Sequence, residues 1–354
     1  MEFMRVTQSM LTANTLHYSQ ASYQRLSTLQ EQMSTQKKIS RFSQDPVIAG
    51  KSMQYRESIG QLNQYQRNLS EAHNRLDQSD ASLRETSQII TRIRELAVKA
   101  STDTFGADER KSIAQEVEQL TNHLVTIANT NTAGKYIFNG ELSNVPPIKT
   151  LNPAQVTEQD FNEHTVLFYN GETYSYEGNG LFENENGQQV TFNDGQLFAG
   201  DEVIQPEDVR MMNNQFATSA YELELQQGIH ITVGADAHRL FTTDFFSDLF
   251  EFQKALLDPN ITAEDLDTFV GKADNHLRVT ADVNGQLGAR MNRVDLIEDR
   301  LNTQQFLLEK IKSENEDVDF EETVMKLLVA ETIHSAALAA SARVLQPSLL
   351  DFLR

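Results

Sequence analysis

The sequence predicts a mainly α-helical protein with a β-rich insert, in which long helices from both ends of the chain pair in a coiled-coil bundle. Residues 61–105 and 289–346 contain neither glycine nor proline, and each stretch far exceeds the average helix of about 11–12 residues. Residues 145–229, by contrast, contain seven of the 16 glycines and four of the seven prolines. We therefore expect a hairpin topology, with the two ends side by side and a small middle domain that protrudes.

An apolar residue at every seventh position marks the helix predicted in the first stretch. The members of this seam are Leu62, Leu69, Leu76, Leu83, Ile90 and Ala97. A second, weaker and partly polar seam consists of Tyr65, Ala72, Ser79, Thr86, Ile93 and Ala100. A strict repeat of this length predicts left-handed supercoiling against partner helices. Leu301 and Leu308 belong to a similar pattern in residues 281–312, which supply the return helix. We interpret these residues as the core of an intramolecular bundle, although the pattern also fits an intermolecular coiled coil.

Capping residues and helix breakers predict where the helices end. Residues 103–108 interrupt the first rod, and Asp108 or Thr104 can cap the helix that follows. Because this connection is short, the two helices beside it are expected to be antiparallel neighbours. Asp244 can cap a shorter amphipathic helix, which Pro259 ends.

The middle of the chain contains strand signals. Residues 166–169 and 173–176 are rich in β-branched and aromatic residues and flank Asn170-Gly171, which predicts a β-hairpin with a type I′ turn. Residues 190–192 and 229–233 have a similar composition, and we expect them to form further strands.

Negative charge is concentrated in the same region. The net charge is −21, and residues 145–229 account for 12 of these charges, with 14 acidic and two basic residues. Such a surface repels nucleic acid phosphates and anionic membranes. No apolar run approaches the ~20 residues that cross a bilayer. We expect neither nucleic acid nor a membrane as a partner.

These distributions divide the chain into three predicted domains. Residues 1–45 with 315–354 form a terminal helical domain, and residues 46–144 with 230–314 form a helical bundle. Residues 145–229 form a β-rich outer domain.

No motif in the sequence indicates catalysis, a cofactor or a metal. The chain has no cysteine, which excludes disulfides and Cys-based metal sites, and its eight histidines lack metal-binding spacing. Gly50-Lys51-Ser52 resembles the end of a phosphate-binding loop, but no strand precedes it. The carboxylates between Glu316 and Glu322 are interpreted as negative charge at a helix N-terminus. We therefore predict that the protein is not an enzyme.

The two ends carry apolar residues that suit packing against other copies of the chain. The C-terminal stretch is apolar on more than one side, and its small residues allow close helix approach, whereas the N-terminal seam is rich in Gln, Ser and Thr. The predicted assembly residues are Leu26, Leu29, Met33, Ile39, Leu328, Leu338, Ala339, Ala342, Leu345, Leu349 and Leu350. A buried core helix is an equally good interpretation of the C-terminal pattern.

Five segments carry a resemblance to a known family. Residues 38–50 (KISRFSQDPVIAG) and 91–100 (TRIRELAVKA) match elements near its N-terminus. Residues 287–293, 313–320 and 342–353 match its C-terminal elements in the expected order. On these residues the chain resembles the bacterial flagellin family, and the resemblance covers about 140 residues at the start and 75 at the end.

The resemblance implies a structural role in the bacterial flagellum. Residues 134–140 and the small middle region favour an adapter that joins the hook to the filament over a filament flagellin, which is the alternative. The implied partners are further copies of the chain in a ring, hook-associated protein 1, flagellin, the filament cap protein and a cytoplasmic export chaperone. The resemblance also implies type III export to the hook–filament junction without a cleaved signal peptide, and the N-terminus, which lacks the layout of a secretory signal, fits this expectation.

The resemblance also suggests a second alternative, a ligand of an innate immune receptor. Arg92, Leu96 and Glu116 lie on the helices that resemble the region of flagellin sensed by such receptors. Packing within the subunit and ion pairing on helix surfaces are the simpler interpretation of these three residues.

Overall fold

The computed structural model describes residues 8–102, 106–217 and 219–345. The helices in these ranges are α1 (Gln8–Thr35), α2 (Pro46–Ala100), α3 (Ala107–Ala128), α4 (Ala237–Leu240), α5 (Thr243–Leu257), α6 (Ala263–Glu316) and α7 (Phe320–Leu345). The protein is therefore mainly helical with a β-rich middle, which confirms the predicted fold class.

The strands occupy the segment between α3 and α4. They are β1 (Asn131–Thr132), β2 (Lys135–Tyr136), β3 (Ile148–Leu151), β4 (Thr165–Tyr169), β5 (Glu172–Gly178), β6 (Leu181–Glu183), β7 (Gln189–Asn193), β8 (Gln196–Ala199), β9 (Glu202–Ile204), β10 (Val209–Asn214), β11 (Glu222–Gln226) and β12 (Ile229–Thr232). Eight of them form one antiparallel sheet in the order β3-β10-β4-β5-β6-β7-β8-β9, and β1-β2 and β11-β12 are separate hairpins.

The chain forms two compact units. The terminal unit consists of residues 1–64 and 300–354, and the central unit consists of residues 65–299. The β-rich residues thus belong to the same unit as α3 and α5, while α2 and α6 contribute residues to both units. The division into three domains stays a prediction.

In the central unit, polar side-chain contacts between helices show the antiparallel arrangement of α2, α3 and α6. Arg92 and Glu85 on α2 pair with Glu116 and His123 on α3, at 2.8 and 3.1 Å. Of these two pairs, the one that lies nearer the N-terminus on α2 lies nearer the C-terminus on α3. The two helices are therefore antiparallel. The pairs of α2 with α6 follow the same rule (Arg94 with Asp274, His73 with Glu298).

Both heptad seams of α2 face the interior of the bundle. In the second, partly polar seam Ala72, Ser79 and Thr86 are fully buried. The hydroxyls of Ser79 and Thr86 each donate to the carbonyl four residues earlier, both at 2.8 Å. These bonds satisfy the buried polar groups without a partner on another helix, so they remove the main cost of a polar seam.

The eight-stranded sheet curls around its own core. Leu151 on the edge strand β3 and Ile204 on the opposite edge strand β9 belong to one buried apolar cluster. The predicted hairpin is confirmed, because Tyr169 pairs with Glu172 across a loop of two residues. Asn170 and Gly171 have φ values of +55° and +80°, as a type I′ turn requires.

Helix caps differ from the sequence prediction at two places. Thr242, not Asp244, caps α5, because the Thr242 hydroxyl accepts the Phe245 N–H at 3.1 Å. Gly106 is the N-cap of α3, so Asp108 lies in the first turn, and Thr104 is outside the described residues. Both acidic residues still stand near the positive end of a helix dipole. The helix α5 ends at Leu257, two residues before Pro259, as predicted.

In the terminal unit α1 packs along α7. The Ser22 hydroxyl lies 2.8 Å from Nδ1 of His334, and the rings of Tyr23 and His334 are 5.8 Å apart. The second glycine-free stretch is not one rod, because residues 317–319 separate α6 from α7. Asp319 accounts for this break, since its side chain accepts the Glu322 N–H at 3.0 Å and so caps a new helix.

One described segment, Phe320–Ala342, is long and apolar enough to cross a membrane by length and composition alone. The prediction that no apolar run reaches this length is therefore wrong. Large aliphatic residues together with many alanines and few charged residues raise the hydropathy of this segment. The same composition suits a helix that packs against other helices, and this one packs along α1.

Candidate assembly surface

The terminal unit exposes most of the large apolar side chains found on the described surface. Sixteen of the 22 exposed large hydrophobic residues belong to it, although it contains only about a third of the chain. They are Met10, Leu16, Tyr18, Tyr23, Phe42, Val47, Met53, Phe306, Leu307, Ile311, Phe320, Met325, Leu328, Val329, Ile333 and Leu338. We call the part of this set that lies on α1 and α7 the terminal apolar surface. Exposed apolar residues at this density are typical of an interaction site.

The predicted assembly residues lie on or beside this surface where the structure describes them. Leu26, Leu29, Met33 and Ile39 are half-buried, and Leu328, Leu338, Ala339 and Ala342 are exposed. The side chain of Leu345, together with Leu349 and Leu350, lies outside the described residues. Their assignment to assembly stays a prediction.

A groove between α1 and α7 runs through the terminal apolar surface. Its volume is about 670 Å³, and its walls are mainly aliphatic. Arg25, Thr28 and Leu29 line it from α1. Met325, Val329 and Ile333 are among the α7 residues that line it. The two helices alone therefore leave apolar walls that a further helix could cover.

Polar contacts join the chain segments at the base of the terminal unit. We call Lys37, Arg56, Asn315, Glu316 and Asp317 the clasp. The Glu316 carboxylate is almost completely buried and accepts two hydrogen bonds from Arg56, at 2.9 and 3.0 Å. Lys37 lies 3.0 Å from the same carboxylate and 2.5 Å from that of Asp317. A buried carboxylate of this kind is stable only with such partners.

Backbone contacts complete the clasp. The Lys38 N–H donates to the Glu316 carbonyl at 2.7 Å, and the Val318 N–H donates to the Gln36 carbonyl at 3.2 Å. Gln36 follows the end of α1 with a φ of +57°, the left-handed conformation that reverses a chain after a helix. The Asn315 amide donates to the Ile48 carbonyl near the start of α2, at 3.1 Å. The connections α1–α2 and α6–α7 are thus held against each other.

The charges of the clasp shift the pKa values of its ionisable groups. Burial opposes ionisation of Glu316, but the hydrogen bonds from Arg56 and Lys37 outweigh it and lower the pKa of this carboxyl. The pKa of Asp317 is also lowered, because Lys37 and Ser313 outweigh burial. Lys37 has a raised pKa, mainly because it donates to Asp317. The interpretation of Glu316 and Asp317 as helix N-terminal charge therefore needs correction, since both neutralise cations of another segment.

The sequence signal for the clasp was present but incomplete. Residues 38–50 and 313–320 both belong to the segments that resemble the family, and both enter or border the clasp. Sequence periodicity does not connect them, because the interacting residues are separated by about 260–280 positions. Gly50-Lys51-Ser52 lies inside α2, where no phosphate-binding loop exists.

The predicted bundle-core residues are placed as follows. Leu62, Leu69, Leu76, Leu83, Ile90 and Leu301 are buried, and Leu308 is half-buried.

Of the three residues predicted to face a receptor, Arg92 and Glu116 form an ion pair at the surface. Leu96 has only 1% of its surface exposed, because it belongs to the buried side of α2, and it does not face solvent. A receptor role for these residues stays a prediction.

The structure also places three residues together that the sequence did not connect. His73 on α2 faces Asp295 and Glu298 on α6, and one ligand atom from each lies within 4.8 Å of the others. Nε2 of His73 is 2.9 Å from a Glu298 oxygen, and Nδ1 is 3.9 Å from an Asp295 oxygen. The spacing of Asp295 and Glu298 puts both carboxylates on one helix face, but only the fold brings the histidine to them.

Comparison with known proteins gives matches at both ends of the chain. Residues 6–143 match the bacterial flagellin N-terminal helical region, and residues 270–353 match the bacterial flagellin C-terminal helical region. Together the two matches cover more than half of the chain.

Two curated proteins illustrate the range of relatives. The flagellar filament 41 kDa core protein of Borreliella burgdorferi is 24% identical over 93% of this chain and 94% of its own length. Flagellar hook-associated protein 3 of Escherichia coli is 30% identical, but the match spans 33% of this chain and 37% of that protein.

Among solved structures, a flagellar hook-associated protein from Vibrio parahaemolyticus has the same fold. It superposes with a TM-score of 0.56 and 11% identity, over 77% of this chain and all of the other. At this identity the likeness concerns the fold alone.

Proposed function

The chain belongs to the bacterial flagellin family, and from this premise we propose that it is the structural adapter that joins the flagellar hook to the filament. As a member of this family it is a structural component of the extracellular flagellum, similar to hook-associated protein 3. The adapter role would be mechanical, since it consists of holding two different protein layers together. The part of the molecule that would perform it is the terminal apolar surface.

The observation that supports the proposal is the incomplete burial of α1 and α7. Leu328 and Leu338 on α7 remain 58% and 50% exposed, and Leu16 on α1 remains 54% exposed. Covering a leucine side chain of this kind on assembly contributes about 1–2 kcal/mol. Several such side chains lie on each terminal apolar surface. Their contributions to the binding free energy therefore add up over one interface between copies, although each contribution alone is small.

The partners follow from the same surface. We propose that the terminal helices contact neighbouring copies laterally, hook-associated protein 1 on the hook side, and flagellin or the cap protein on the filament side. A cytoplasmic export chaperone would cover α7 before export. This helix is the appropriate target because it carries the largest part of the apolar surface that water would otherwise contact.

A filament flagellin is the second candidate. It is favoured by the 41 kDa filament core protein of Borreliella burgdorferi, which aligns with nearly the whole chain. The abundance of the two classes of protein separates the candidates. A filament subunit would be the main protein of a sheared-flagella preparation, whereas an adapter would be a trace component.

Deletion of the gene, followed by electron microscopy, tests the adapter role. We expect hooks without filaments, with flagellin released into the medium. Complementation with the wild-type gene should restore the filaments. Cells that lack the gene but carry normal filaments would exclude the adapter.

Point variants test whether the terminal apolar surface performs the joining. Leu328→Glu and Leu338→Glu place a charge on α7, and we expect each to fail to restore filaments in the deletion strain. Leu296→Glu is the matched control, because Leu296 is also an exposed helix residue, at 70%, but lies in the central unit. All three chains should be secreted and folded, since no buried residue is changed. Restoration by both α7 variants would remove the support that this surface gives to the proposal.

A further inference from the structure

We propose that His73, Asp295 and Glu298 form a binding site for a divalent transition-metal ion such as Zn²⁺. The site lies in the central unit and is independent of the assembly surface. Its three side chains offer one imidazole nitrogen and two carboxylate oxygens within 4.8 Å of one another.

The His73 and Glu298 atoms fit a small ion after a minor adjustment, whereas the Asp295 carboxylate, 3.9 Å from the other ring nitrogen, has to turn further to reach the same ion. Zinc–nitrogen and zinc–oxygen bonds of about 2.0–2.2 Å place tetrahedral ligand atoms roughly 3.3 Å apart. The His73 Nε2 atom and the Glu298 oxygen are 2.9 Å apart, so these atoms need to separate by only a few tenths of an ångström. The Asp295 and Glu298 side chains are 63% and 47% exposed, which leaves both carboxylates free to turn toward an ion.

The scaffold fixes the histidine more firmly than the carboxylates. His73 is half-buried, with a side chain 28% exposed, and its neighbours Ala72 and Leu76 on α2 are fully buried. A half-buried imidazole with two exposed carboxylates on the opposite helix leaves a solvent-facing position for water, as in an open three-ligand site.

The ligand set selects the class of ion. Imidazole suits zinc, copper and nickel, whereas magnesium and calcium prefer sites built from oxygen ligands alone. The net charge of −21 further favours cations near the surface. A bound ion would link α2 to α6 inside one compact unit, and it would therefore stabilise the folded state over the unfolded chain.

The test uses the full-length, untagged chain with zinc chloride, after removal of metals with EDTA. Calorimetric titration should show one ion bound per chain at this site. The melting temperature should rise by about 5 °C at roughly 100 times the dissociation constant, and magnesium chloride should leave it unchanged.

His73→Gln and Glu298→Gln should each weaken zinc binding by about tenfold or more. His123→Gln is the matched control, because His123 also pairs with a glutamate, Glu85 at 3.1 Å, but belongs to no cluster of three ligands among the described residues. If His73→Gln fails to fold, Asp295→Asn decides, because it changes an exposed side chain. Absence of saturable binding in the wild type would overturn the proposal. So would wild-type affinity in the foldable ligand variants, or equal loss in His123→Gln.

Discussion

The central and terminal units use apolar residues in opposite ways. Among the described residues, 55 hydrophobic side chains are buried, and only four of them lie in the terminal unit: Ala49, Leu62, Leu301 and Ala330. The central unit contains the other buried side chains and only six of the exposed large ones. The central unit therefore has a core of its own, whereas the terminal unit has helices whose apolar residues remain in contact with water.

The two units also differ in what holds them together. Aromatic clusters such as Phe241, Phe245 and Phe246, all fully buried, fill the interior of the central unit. The terminal unit depends more on the clasp, where ion pairs and backbone hydrogen bonds hold two chain connections. Polar contacts fix geometry but supply less net free energy than a buried core does, since they replace hydrogen bonds to water. This difference supports the proposal that the terminal unit, already shaped in the monomer, gains further stability in an assembly.

The largest expected effect on the free energy of unfolding comes from a substitution in the core of the central unit. Leu76 is completely buried, so Leu76→Ala should lower the free energy of unfolding by about 3 kcal/mol, because it leaves a cavity in the bundle. Leu328→Ala removes the same atoms from the terminal apolar surface and should change it by less than about 0.5 kcal/mol. Urea unfolding followed by circular dichroism measures both. Equal losses would mean that the two units are buried to a similar extent.

A smaller effect is expected at the clasp. Glu316→Gln keeps the shape of the side chain but removes the charge that Arg56 and Lys37 contact, and it should destabilise the terminal unit by about 2 kcal/mol. Hydrogen exchange of the amides of residues 313–319 measures this change locally. Glu322→Gln is the control, because it breaks an exposed pair with Lys326 that contributes under about 0.5 kcal/mol. Similar protection in both variants would contradict a stabilising role for the clasp.

The smallest effect is the pH dependence of the same contact. The pKa of Glu316 is lower in the folded chain than its ordinary value. The ionised carboxylate therefore stabilises the fold above the unfolded pKa of about 4.3, and this contribution is lost as the pH falls through the folded pKa. We expect the stability advantage of wild type over Glu316→Gln to be constant near pH 7 and to shrink below about pH 4. Melting curves of both chains across this pH range measure the stability advantage. An advantage that grows as the pH falls would contradict the lowered pKa of Glu316.

Much of the fold could be predicted from the sequence, because helix and hairpin signals are local. The seven-residue repeat from Leu62 to Ile90 and the Asn170-Gly171 turn each act over a few residues, and both predictions agree with the structure. The sequence alone does not predict the break at 317–319 or the Thr242 cap, because several polar residues near each position can cap a helix equally well.

The parts that escaped prediction depend on contacts between distant segments. The clasp joins Lys37 to Asp317, and the proposed metal site joins His73 to Glu298. Neither pair has a local spacing that marks it, so only the antiparallel arrangement of helices brings the groups together. For the assembly residues, the pattern alone did not separate an exposed helix from a core helix, and the exposure of Leu328 and Leu338 favours the first.

Hydrogen exchange of α1 and α7 in the isolated chain and in an assembly reconstituted from purified copies tests the central claim most directly. If these helices complete their burial in neighbouring molecules, their amides should exchange at least about 100-fold more slowly in the assembly, because opening then requires the interface to separate. The amides of α3 provide the internal reference and should change little. Equal protection of α1 and α7 in both samples would contradict the account.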